Sequence, residues 1–533
     1  MILVRNISLE PQEDETRLRD RAAEKLRTSP EQIRGCVLKK RSLDARKKDR
    51  IRYVCTVGVT VDANEEKLLR RCRNRDVTPD SSVPYVIPHC FSEERPVVIG
   101  FGPAGMFASL VLAKAGLRPI VLERGQDAIS RRQAIDRFQA GGPLDPENNV
   151  QFGEGGAGTF SDGKLNTGTH DPRISWVLDQ FALHGAPESV RYDAKPHIGT
   201  DILINVVQEI RREVISLGGE VRFGHKMTAL QTEGGALTGL TVFGPDGQAY
   251  TLPCRHAILA IGHSARDTFE ALHHQGIPME RKAFAMGVRI EHSQKAIDIA
   301  QYGRERGILP AADYGLHVHL PNGRSAFTFC MCPGGQVFAA ASEAGGVVTN
   351  GMSFSARDGE NANSALLVGV KPEDFPGEGV LAGMYWQREI EQLAFRLVGG
   401  TYAAPSQLVE DFLAGRKSTG PGSVQPSYRP GVVWTDLQFL LPDIICDTLR
   451  TAIPELGNKL AGFDAPDAVL TGPETRSSSP VRILRGVDFS SVFSGLYPCG
   501  EGAGYAGGIT SAAVDGMRCA EAVLKALDDG TSC

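Results

Sequence analysis

The chain lacks the Cys-x-x-Cys pairs and regular cysteine spacing that mark disulfide frameworks and structural zinc sites, although it contains 11 cysteines. An odd cysteine count in a chain of 533 residues favours a reducing compartment. The first residues, M-I-L-V-R-N-I-S-L-E-P, also lack the basic segment, apolar run and cleavage site of a signal peptide. One uncharged stretch, from Pro96 to Ala113, approaches the length of a membrane span, but glycines and a proline interrupt it. We therefore expect a soluble, cytoplasmic protein with no membrane segment and no metal site.

Positive charge is concentrated at the N-terminal end of the chain. Residues 1–90 hold 20 Lys+Arg against 14 Asp+Glu, although the whole chain has a net charge of −5. This asymmetry indicates a separate unit with its own surface. Strand-like and helical segments alternate in residues 1–80, which predicts a small α+β domain. Prolines and serines then indicate a linker over residues 81–95.

A basic run, K-K-R-S-L-D-A-R-K-K-D-R, occupies residues 39–50. One interpretation is that it binds phosphate groups or RNA. The other is a solvated hairpin between two strands. No aromatic residue lies within the run to stack on a base, which counts against recognition of single-stranded RNA.

The stretch after the linker, R-P-V-V-I-G-F-G-P-A-G, begins a β-α-β unit. The pattern predicts a buried strand at 96–99, a helix at 104–115 and a second strand at 119–123.

Three glycines at the first turn of this unit have the spacing G-x-G-x-x-G of a dinucleotide-binding loop. Gly100 permits the tight turn, Gly102 lets the backbone approach a pyrophosphate, and Gly105 lets the helix pack on the strand. The phosphates are expected at the helix N-terminus. Glu123 ends the second strand and is expected to accept hydrogen bonds from the ribose, which disfavours NADP. The candidate cofactor contacts in this unit are Gly100, Gly102, Pro103, Ala104, Gly105, Glu123 and Arg124.

The middle of the chain is less distinctive. Segments 213–230, 237–243 and 248–263 are predicted to be strands separated by glycine turns. From about 280 to 460 the pattern changes to antiparallel-looking strands and several helices. Short buried strands and a helix follow from about 465.

Two further glycine-rich segments favour FAD over NAD as the dinucleotide. The first is V-Q-F-G-E-G-G-A-G-T-F-S-D-G-K-L-N-T at 150–167, and the second is L-Y-P-C-G-E-G-A-G-Y-A-G-G-I at 496–509. Both contain too many small residues to form a packed core. We expect the second segment to close on the cofactor from the far end of the chain.

These motifs, together with F-C-M-C-P-G-G and E-T-R-S-S-S-P-V-R-I, resemble those of the two-dinucleotide-binding-domain FAD flavoproteins. The chain is most similar to a poorly characterised bacterial family of FAD-dependent dehydrogenases with an N-terminal ferredoxin-like domain. The resemblance implies an α/β fold with a Rossmann-like FAD-binding domain of the glutathione-reductase type, formed by residues 96–280 and 461–533. It further implies an inserted α+β substrate or cap domain at 281–460 and a ferredoxin-like α+β domain at 1–80.

The resemblance also assigns residues to the second glycine loop. Those expected beside the pyrophosphate and the isoalloxazine are Gly153, Gly155, Gly156, Gly158, Thr159 and Ser161. Asp162 and Lys164 either point toward the reactive region of the flavin, as catalytic candidates, or give the loop its structure.

Two shorter matches complete the implied cofactor site. Ala260, Ile261 and Gly262 are similar to a motif, often Ala-Thr-Gly, where a returning strand passes the adenine. Gly500 and Glu501 occupy the position of a usual Gly-Asp pair, whose carboxylate hydrogen-bonds the ribityl chain. Glutamate keeps the acceptor but lengthens its reach.

A reduced flavin needs positive charge near its pyrimidine ring, and a helix N-terminus supplies it. The candidates at the start of the last helix are Gly507, Gly508, Ile509 and Thr510. No second G-x-G-x-x-G follows a strand after residue 130, so we expect no separate NAD(P)-binding domain. NADH or NADPH would then act as a transient reductant at the flavin.

The remaining catalytic candidates lie in the predicted substrate domain. Strand alternation places Cys330 and Cys332 on one face, where they are either a redox pair or buried structural thiols. His317 and His319 have the same spacing and are either acid or ligand groups or an ordinary strand pair. Arg476, in the C-terminal part of the predicted FAD-binding domain, either neutralises an anionic substrate or flavin phosphate or forms an ion pair.

The sequence therefore predicts an FAD-dependent oxidoreductase that acts on a small organic substrate through a non-covalently bound flavin. One alternative is a flavoprotein that modifies or binds RNA through its basic N-terminal domain. Another is a non-enzymatic, flavin-binding regulator.

Overall fold

The computed structural model describes residues 1–62 and 64–530. The N-terminal unit has the element order β-α-β-β-α-β, and its four strands form one antiparallel sheet in the order β2-β3-β1-β4. Both helices pack their apolar residues on this sheet. The elements are β1 (Ile2–Leu9), α1 (Arg17–Leu26), β2 (Ile33–Asp44), β3 (Arg52–Val61), α2 (Glu65–Cys72) and β4 (Val77–Pro79).

The basic run lies at the end of β2 and in the turn that connects β2 to β3. The hairpin interpretation of this run is therefore confirmed. The hairpin also touches the rest of the protein, because Ile51 is buried in the core formed by residues of the later sheet. Arg41 reinforces the contact, with its Nε 2.8 Å from the Asp193 carboxylate.

The unit that the sequence predicts to bind the cofactor, called the cofactor-binding unit below, begins with short strands and longer helices. Its elements are β5 (Val97–Ile99), α3 (Pro103–Lys114), β6 (Ile120–Glu123), α4 (Ala128–Gln139), α5 (Arg173–Leu183), α6 (Thr200–Ser216), β7 (Glu220–Phe223), β8 (Lys226–Glu233), β9 (Ala236–Phe243), β10 (Ala249–Pro253), β11 (Ala257–Leu259) and α7 (Arg266–His274).

The second region follows without a break. Its elements are β12 (Met279–Arg281), β13 (Phe284–Ser293), α8 (Gln294–Tyr302), β14 (His317–His319), β15 (Ser325–Cys332), β16 (Gln336–Ala339), β17 (Thr349–Met352), β18 (Asn361–Val370), α9 (Ala382–Leu397), β19 (Ala404–Leu408), α10 (Val409–Ala414), β20 (Val432–Trp434), α11 (Asp443–Gly457) and β21 (Val469–Glu474). The chain ends with β22 (Val481–Ile483), β23 (Leu496–Pro498) and α12 (Ile509–Gly530).

A five-stranded parallel sheet, in the order β23-β11-β5-β6-β7, forms the centre of the cofactor-binding unit. All five strands lie within segments that the sequence predicts to contain strands, and β23 brings the C-terminal segment to the edge of the sheet beside β11. A three-stranded antiparallel sheet, β10-β9-β8, is attached to this unit. The predicted β-α-β unit agrees with β5, α3 and β6 to within one residue.

The prediction of a strand over 213–230 is wrong at its start, because residues up to Ser216 complete α6. Apolar residues repeat along α6 with helical spacing, and its buried residues include Val207, Ile210 and Val214. The strand begins only after Gly218 and Gly219. The packing of an amphipathic helix on the core therefore decides the conformation of 213–216.

A seven-stranded sheet, in the order β14-β15-β18-β13-β21-β19-β20, forms the second region. Strand β21 lies inside this sheet and pairs with both β13 and β19. The boundary expected at residue 461 therefore falls later, after Glu474, because long-range pairing commits β21 to the second region. The return to the parallel sheet comes with β23.

Helix α3 is apolar on all sides because it is enclosed by the parallel sheet, α6 and α12. Pro103 occupies its first turn, where the missing N–H costs no hydrogen bond. The uncharged stretch from Pro96 to Ala113 is thus a buried strand followed by a buried helix. Among the described residues, none of the helices has both the length and the apolar character that crossing a bilayer requires.

Gly105 fixes the distance between α3 and β5. A Cβ at this position would lie 1.9 Å from the Gly100 carbonyl oxygen and 3.2 Å from the Val98 side chain. We expect Gly105→Ala to lower the free energy of unfolding by at least ~2 kcal/mol, since backbone on one side and core on the other must move. Denaturant titration of the purified variant measures this change.

Gly369→Ala is the matched control, because a Cβ at Gly369 meets no atom within 4 Å and the residue lies in a regular strand. Equal stabilities of the two variants would contradict the packing role of Gly105.

Candidate functional site

The candidate site lies at the carboxyl ends of β5, β6, β11 and β23. Gly100 follows β5 with φ of 98°, a left-handed conformation that favours glycine, and its N–H donates to the Leu122 carbonyl at 2.7 Å. Gly102 then precedes α3, whose first-turn N–H groups have no carbonyl partner within the helix. This arrangement presents partial positive charge at the edge of the sheet, where an anionic group is stabilised.

Glu123 connects two loops of the site. Its carboxylate accepts hydrogen bonds from the N–H groups of Phe101 at 2.8 Å, Gly125 at 2.9 Å and Gly153 at 2.9 Å. A carboxylate offers about four lone-pair positions, so one acceptor position remains for a further donor such as a ribose hydroxyl. The same side chain that was expected to bind the cofactor also holds the glycine loops together.

The second glycine loop crosses the first at backbone distance. Gly155 and Gly156 both have positive φ, and a Cβ on Gly156 would lie 2.9 Å from the Gly102 Cα. Residues Gly156–Phe160 form a short 3-10 turn. The two loops therefore form one continuous surface at the start of α3.

The C-terminal segment closes the site from the opposite side. A Cβ on Gly500 would lie 2.8 Å from the Ala104 Cβ, and one on Gly502 would lie 2.4 Å from the Gly262 carbonyl oxygen. Asp515 of α12 accepts the Gly500 N–H at 2.7 Å. Residues separated by about 400 positions thus meet, as the sequence predicts.

These loops enclose a cavity of about 520 Å³, within the size range of small-molecule and cofactor sites. The predicted cofactor residues that line it are Gly100, Gly102, Pro103, Ala104, Glu123, Arg124, Gly156, Gly158, Ser161, Ala260, Gly262, Glu501, Gly507, Gly508 and Ile509. Six others stand behind the wall and support it: Gly105, Gly153, Gly155, Thr159, Gly500 and Thr510.

Asp162 does not line the cavity, and its side chain is fully buried behind the cavity wall. Its carboxylate binds Lys164 Nζ at 2.9 Å and Arg357 Nε at 3.0 Å. Burial raises the pKa of the Asp162 carboxyl, but the charges of Lys164 and Arg357 outweigh this effect and hold the pKa below its usual range. Asp162 therefore gives the loop its structure, whereas Lys164 lines the cavity.

The two cysteines do not follow regular strand alternation. The pairing of β15 with β18 shifts between Phe329 and Cys332, and Cys330 has φ of 42°. This bulge places Cys330 on the cavity wall, whereas Cys332 is buried behind it. Regular alternation is therefore the wrong reason for pairing the two cysteines, yet the bulge keeps them together, with the Cys332 thiol donating to the Cys330 carbonyl at 3.2 Å.

The structure places His317 and His319 away from this cavity. Both side chains are exposed on β14, the edge strand of the seven-stranded sheet, and neither lines the cavity. His319 Nδ1 lies 2.7 Å from the Ser325 hydroxyl. The alternating pattern placed both imidazoles on one face, but that face is the solvent side of an edge strand.

Arg476 forms the ion pair that was one of its two interpretations. It lies beside Glu391, with Nη2 2.7 Å from the carboxylate, and the Arg266 guanidinium binds the same carboxylate at 2.8 Å. Burial raises the pKa of the Glu391 carboxyl, but the two arginines outweigh this effect and keep the pKa well below its usual range. Since Arg266 begins α7 and Glu391 lies in α9, this buried cluster joins the two regions of the chain.

Among the cavity residues that the sequence interpretation missed, two carry titratable side chains close to the predicted motifs or to the cysteines. His263 directly follows Gly262 and lies 3.9 Å from Glu501, measured from Nε2 to Oε1. Burial and the charges of Arg476 and Arg266 lower the pKa of His263 to about 3. Glu474 at the end of β21 also lines the cavity, and burial raises its pKa to about 7. Adjacency to the Ala-Ile-Gly motif was an available signal for His263.

Burial likewise raises the pKa of Glu501 to about 7. A carboxyl that titrates near neutral pH can either donate or accept a hydrogen bond there. His263, in contrast, stays neutral and offers one donor and one acceptor. The pair therefore presents adaptable polar groups to a bound molecule.

Comparison with known proteins identifies an FAD-dependent family and a full-length relative. A family model described as FAD-dependent protein, C-terminal domain-like, matches residues 283–477, and a domain of unknown function matches residues 1–60. An uncharacterised protein of Clostridium beijerinckii is 47% identical over 534 residues, which covers 99% of each chain.

Solved structures give weaker likenesses. The flavin-dependent brominase Bmp2 is 12% identical, covering 82% of this chain and 79% of its own, with a TM-score of 0.37. The glycerol-3-phosphate dehydrogenase of Bacillus halodurans, complexed with FAD, is 12% identical, covering 83% of this chain and 66% of its own, with a TM-score of 0.36. Both TM-scores are too low for these structures to assign an activity to this chain.

Gly102 allows a test of the cavity that leaves the core intact. A Cβ here would meet only the Gly156 Cα, at 3.6 Å, an ordinary contact. We expect Gly102→Ala to keep the wild-type stability within ~1 kcal/mol. FAD affinity should nevertheless fall at least tenfold, about 1.4 kcal/mol, since the methyl group separates the pyrophosphate from the backbone. Calorimetric titration with FAD measures the affinity, and Gly369→Ala is again the control; unchanged affinity in Gly102→Ala would contradict this contact.

Proposed function

Since this chain belongs to the same protein family as the Clostridium beijerinckii protein and matches an FAD-dependent domain family, we propose that it is an FAD-dependent oxidoreductase. The observation that carries the proposal is the single cavity built by both glycine loops and the C-terminal segment at the start of α3. We propose a small organic substrate and a non-covalently bound flavin.

The residues of the cavity fit FAD. The backbone at Gly102 and Gly156 and the N-terminus of α3 suit the pyrophosphate. The free acceptor position of Glu123 suits the ribose of the adenosine half. Glu501, in the place of the usual aspartate, would bind a ribityl hydroxyl. The longer side chain of Glu501 extends from the end of β23, where the Gly500–Asp515 hydrogen bond fixes the backbone.

When bound, the flavin supplies two-electron transfer between a donor and an acceptor. The chain's own contribution is electrostatic. Gly507, Gly508 and Ile509 line the cavity at the N-terminus of α12, whose dipole favours negative charge. Lys164, held in place by Asp162, adds a cation to the same wall.

The arrangement of the other regions supports the remaining assignments. The parallel sheet and its returning strand β23 support a glutathione-reductase type of FAD domain, and the seven-stranded sheet supports an inserted substrate domain. The β-α-β-β-α-β order of the N-terminal unit supports a ferredoxin-like domain. NADH or NADPH is proposed as the transient reductant.

The RNA-binding alternative gains no support from the contacts of the basic run. Arg41 is paired with Asp193, and Arg46 is paired with Asp44. Lys48 Nζ donates to a backbone carbonyl of the second region at 2.7 Å. Arg41 and Lys48 of the run therefore help to dock the hairpin.

Anaerobic stopped-flow mixing of the flavin-loaded protein with NADH and with NADPH tests the proposal. We expect one of them to bleach the oxidised-flavin absorbance at least tenfold faster than it reduces free FAD. Glu501→Ala should weaken FAD binding up to about tenfold, since one hydrogen bond is worth ~0.5–1.5 kcal/mol. His317→Ala, on the exposed edge strand, is the control and should match the wild type.

Flavin that stays bound but is reduced no faster than free FAD by either nucleotide would contradict this assignment of the reductant. Failure to exchange electrons with any donor and acceptor pair would favour the regulator alternative.

A further inference from the structure

Cys330 is held in an unusual position on the cavity wall. Its φ of 42° is uncommon for a residue with a side chain, and such strain is often found at functional sites. The bulge in β15 places Cys330 on the cavity wall, where the neighbouring Thr328, Phe329 and Met331 also lie. A structural thiol has no need of this backbone conformation.

Two cations lie beside the cysteine pair. Arg289 is fully buried and donates to the Cys330 carbonyl at 2.8 Å, with the same nitrogen 3.5 Å from Cys332 Sγ. Lys164 Nζ donates to the carbonyl of Met331, the residue between the two cysteines. The Glu474 carboxylate lies 3.1 Å from Arg289.

The balance of charge favours a thiolate at Cys330. The hydrogen bond from Cys332 and the charges of Lys164 and Arg289 lower the pKa of the Cys330 thiol, whereas burial and Asp162 oppose them. Burial raises the pKa of the Cys332 thiol, and its hydrogen bond with Cys330 raises this pKa further. One thiolate and one thiol in contact are the states that a nucleophile and its resolving partner require.

Room for Arg289 is made by a glycine on the neighbouring strand. A Cβ on Gly351 would lie 1.9 Å from the Arg289 Nη2 atom. Arg289 also binds the Asn363 amide oxygen at 2.8 Å, so the guanidinium is fixed against the thiols. The cluster is therefore built around the cysteines from β13, β17, β18 and β21.

We propose that Cys330 and Cys332 are a redox pair that reduces a disulfide-containing substrate bound in the cavity. The Cys330 thiolate attacks one substrate sulfur, which breaks the substrate S–S bond, releases the other sulfur as a thiolate and forms a mixed disulfide. Cys332 then loses its proton and attacks the Cys330 sulfur. This forms the Cys330–Cys332 disulfide and releases the second sulfur, which takes that proton.

The sum of both steps balances: one thiolate, one thiol and a disulfide become a disulfide, one thiolate and one thiol, with two electrons moved to the substrate. Resetting the pair requires a two-electron reductant. The proposal rests on the proposed function at this point, because reduced flavin in the same cavity would be that reductant.

The other cysteines provide an internal control. Among the ten cysteines within the described residues, only Cys36 and Cys330 are partly exposed. Burial raises the pKa of the Cys36 thiol, and Cys36 lies in the N-terminal unit, away from the cavity. Cys499 borders the cavity but is buried, with its pKa raised by burial.

The test uses the full chain as purified with its flavin. Iodoacetamide at pH 7, followed by peptide mass spectrometry, should alkylate Cys330 at least tenfold faster than Cys36. Cystamine serves as the disulfide probe. A single turnover of the reduced protein should release two equivalents of cysteamine and leave a Cys330–Cys332 disulfide.

Variants separate the two roles. Cys332→Ser should retain one cysteamine as a mixed disulfide on Cys330, whereas Cys330→Ser should retain none on Cys332. Gly351→Ala should slow alkylation of Cys330 several-fold by displacing Arg289, with Cys36 unchanged. Alkylation of Cys330 no faster than that of Cys36 would overturn the proposal. So would cystamine turnover that leaves both thiols free.

Flavin absorbance in the same samples keeps the two proposals apart. Bound, reducible flavin with unreactive thiols would refute the redox pair and leave the oxidoreductase standing. Thiols that react as expected in a protein that binds no flavin would refute the proposed function and leave the thiol chemistry intact.

Discussion

Close contact between backbones, at distances that exclude a Cβ, holds the cavity together. Gly105 packs against Gly100, and Gly156 lies against Gly102. At the other side, a Cβ on Gly516 of α12 would lie 2.0 Å from the Ala104 carbonyl oxygen. Because these contacts join α3 to its strand, to the second loop and to α12, three distant parts of the chain form one wall. The remaining features of the site depend on this geometry.

Buried charge joins this wall to the second region. Glu391 lies between Arg266 and Arg476, all three nearly inaccessible to solvent. Removing one partner from such a cluster leaves an unpaired buried charge and typically costs 3–5 kcal/mol, roughly. The buried carboxylate of Asp162 likewise links the second glycine loop to Arg357. The cluster thus positions the seven-stranded sheet, and with it Cys330, over the cavity.

The β-α-β unit and the closing C-terminal segment could be predicted, because buried strands and glycine loops leave local patterns in the sequence. Long-range pairing leaves no such pattern. It commits β21 to the second sheet, exposes His317 at an edge and creates the bulge that turns Cys330 toward the cavity. His263 escaped notice for a related reason, since its low exposure and its arginine neighbours come from distant segments. Roles that depend on local backbone were predictable, and those set by distant neighbours were not.

The central claim is that the glycine loops and the C-terminal segment together form one FAD site per chain. Equilibrium titration of the flavin-free protein with FAD, in competition with NAD⁺, tests it most directly. Our account predicts a stoichiometry of one FAD per chain that excess NAD⁺ does not displace. Stoichiometric binding of NAD⁺ that excludes FAD, or the binding of neither dinucleotide by a folded chain, would contradict it.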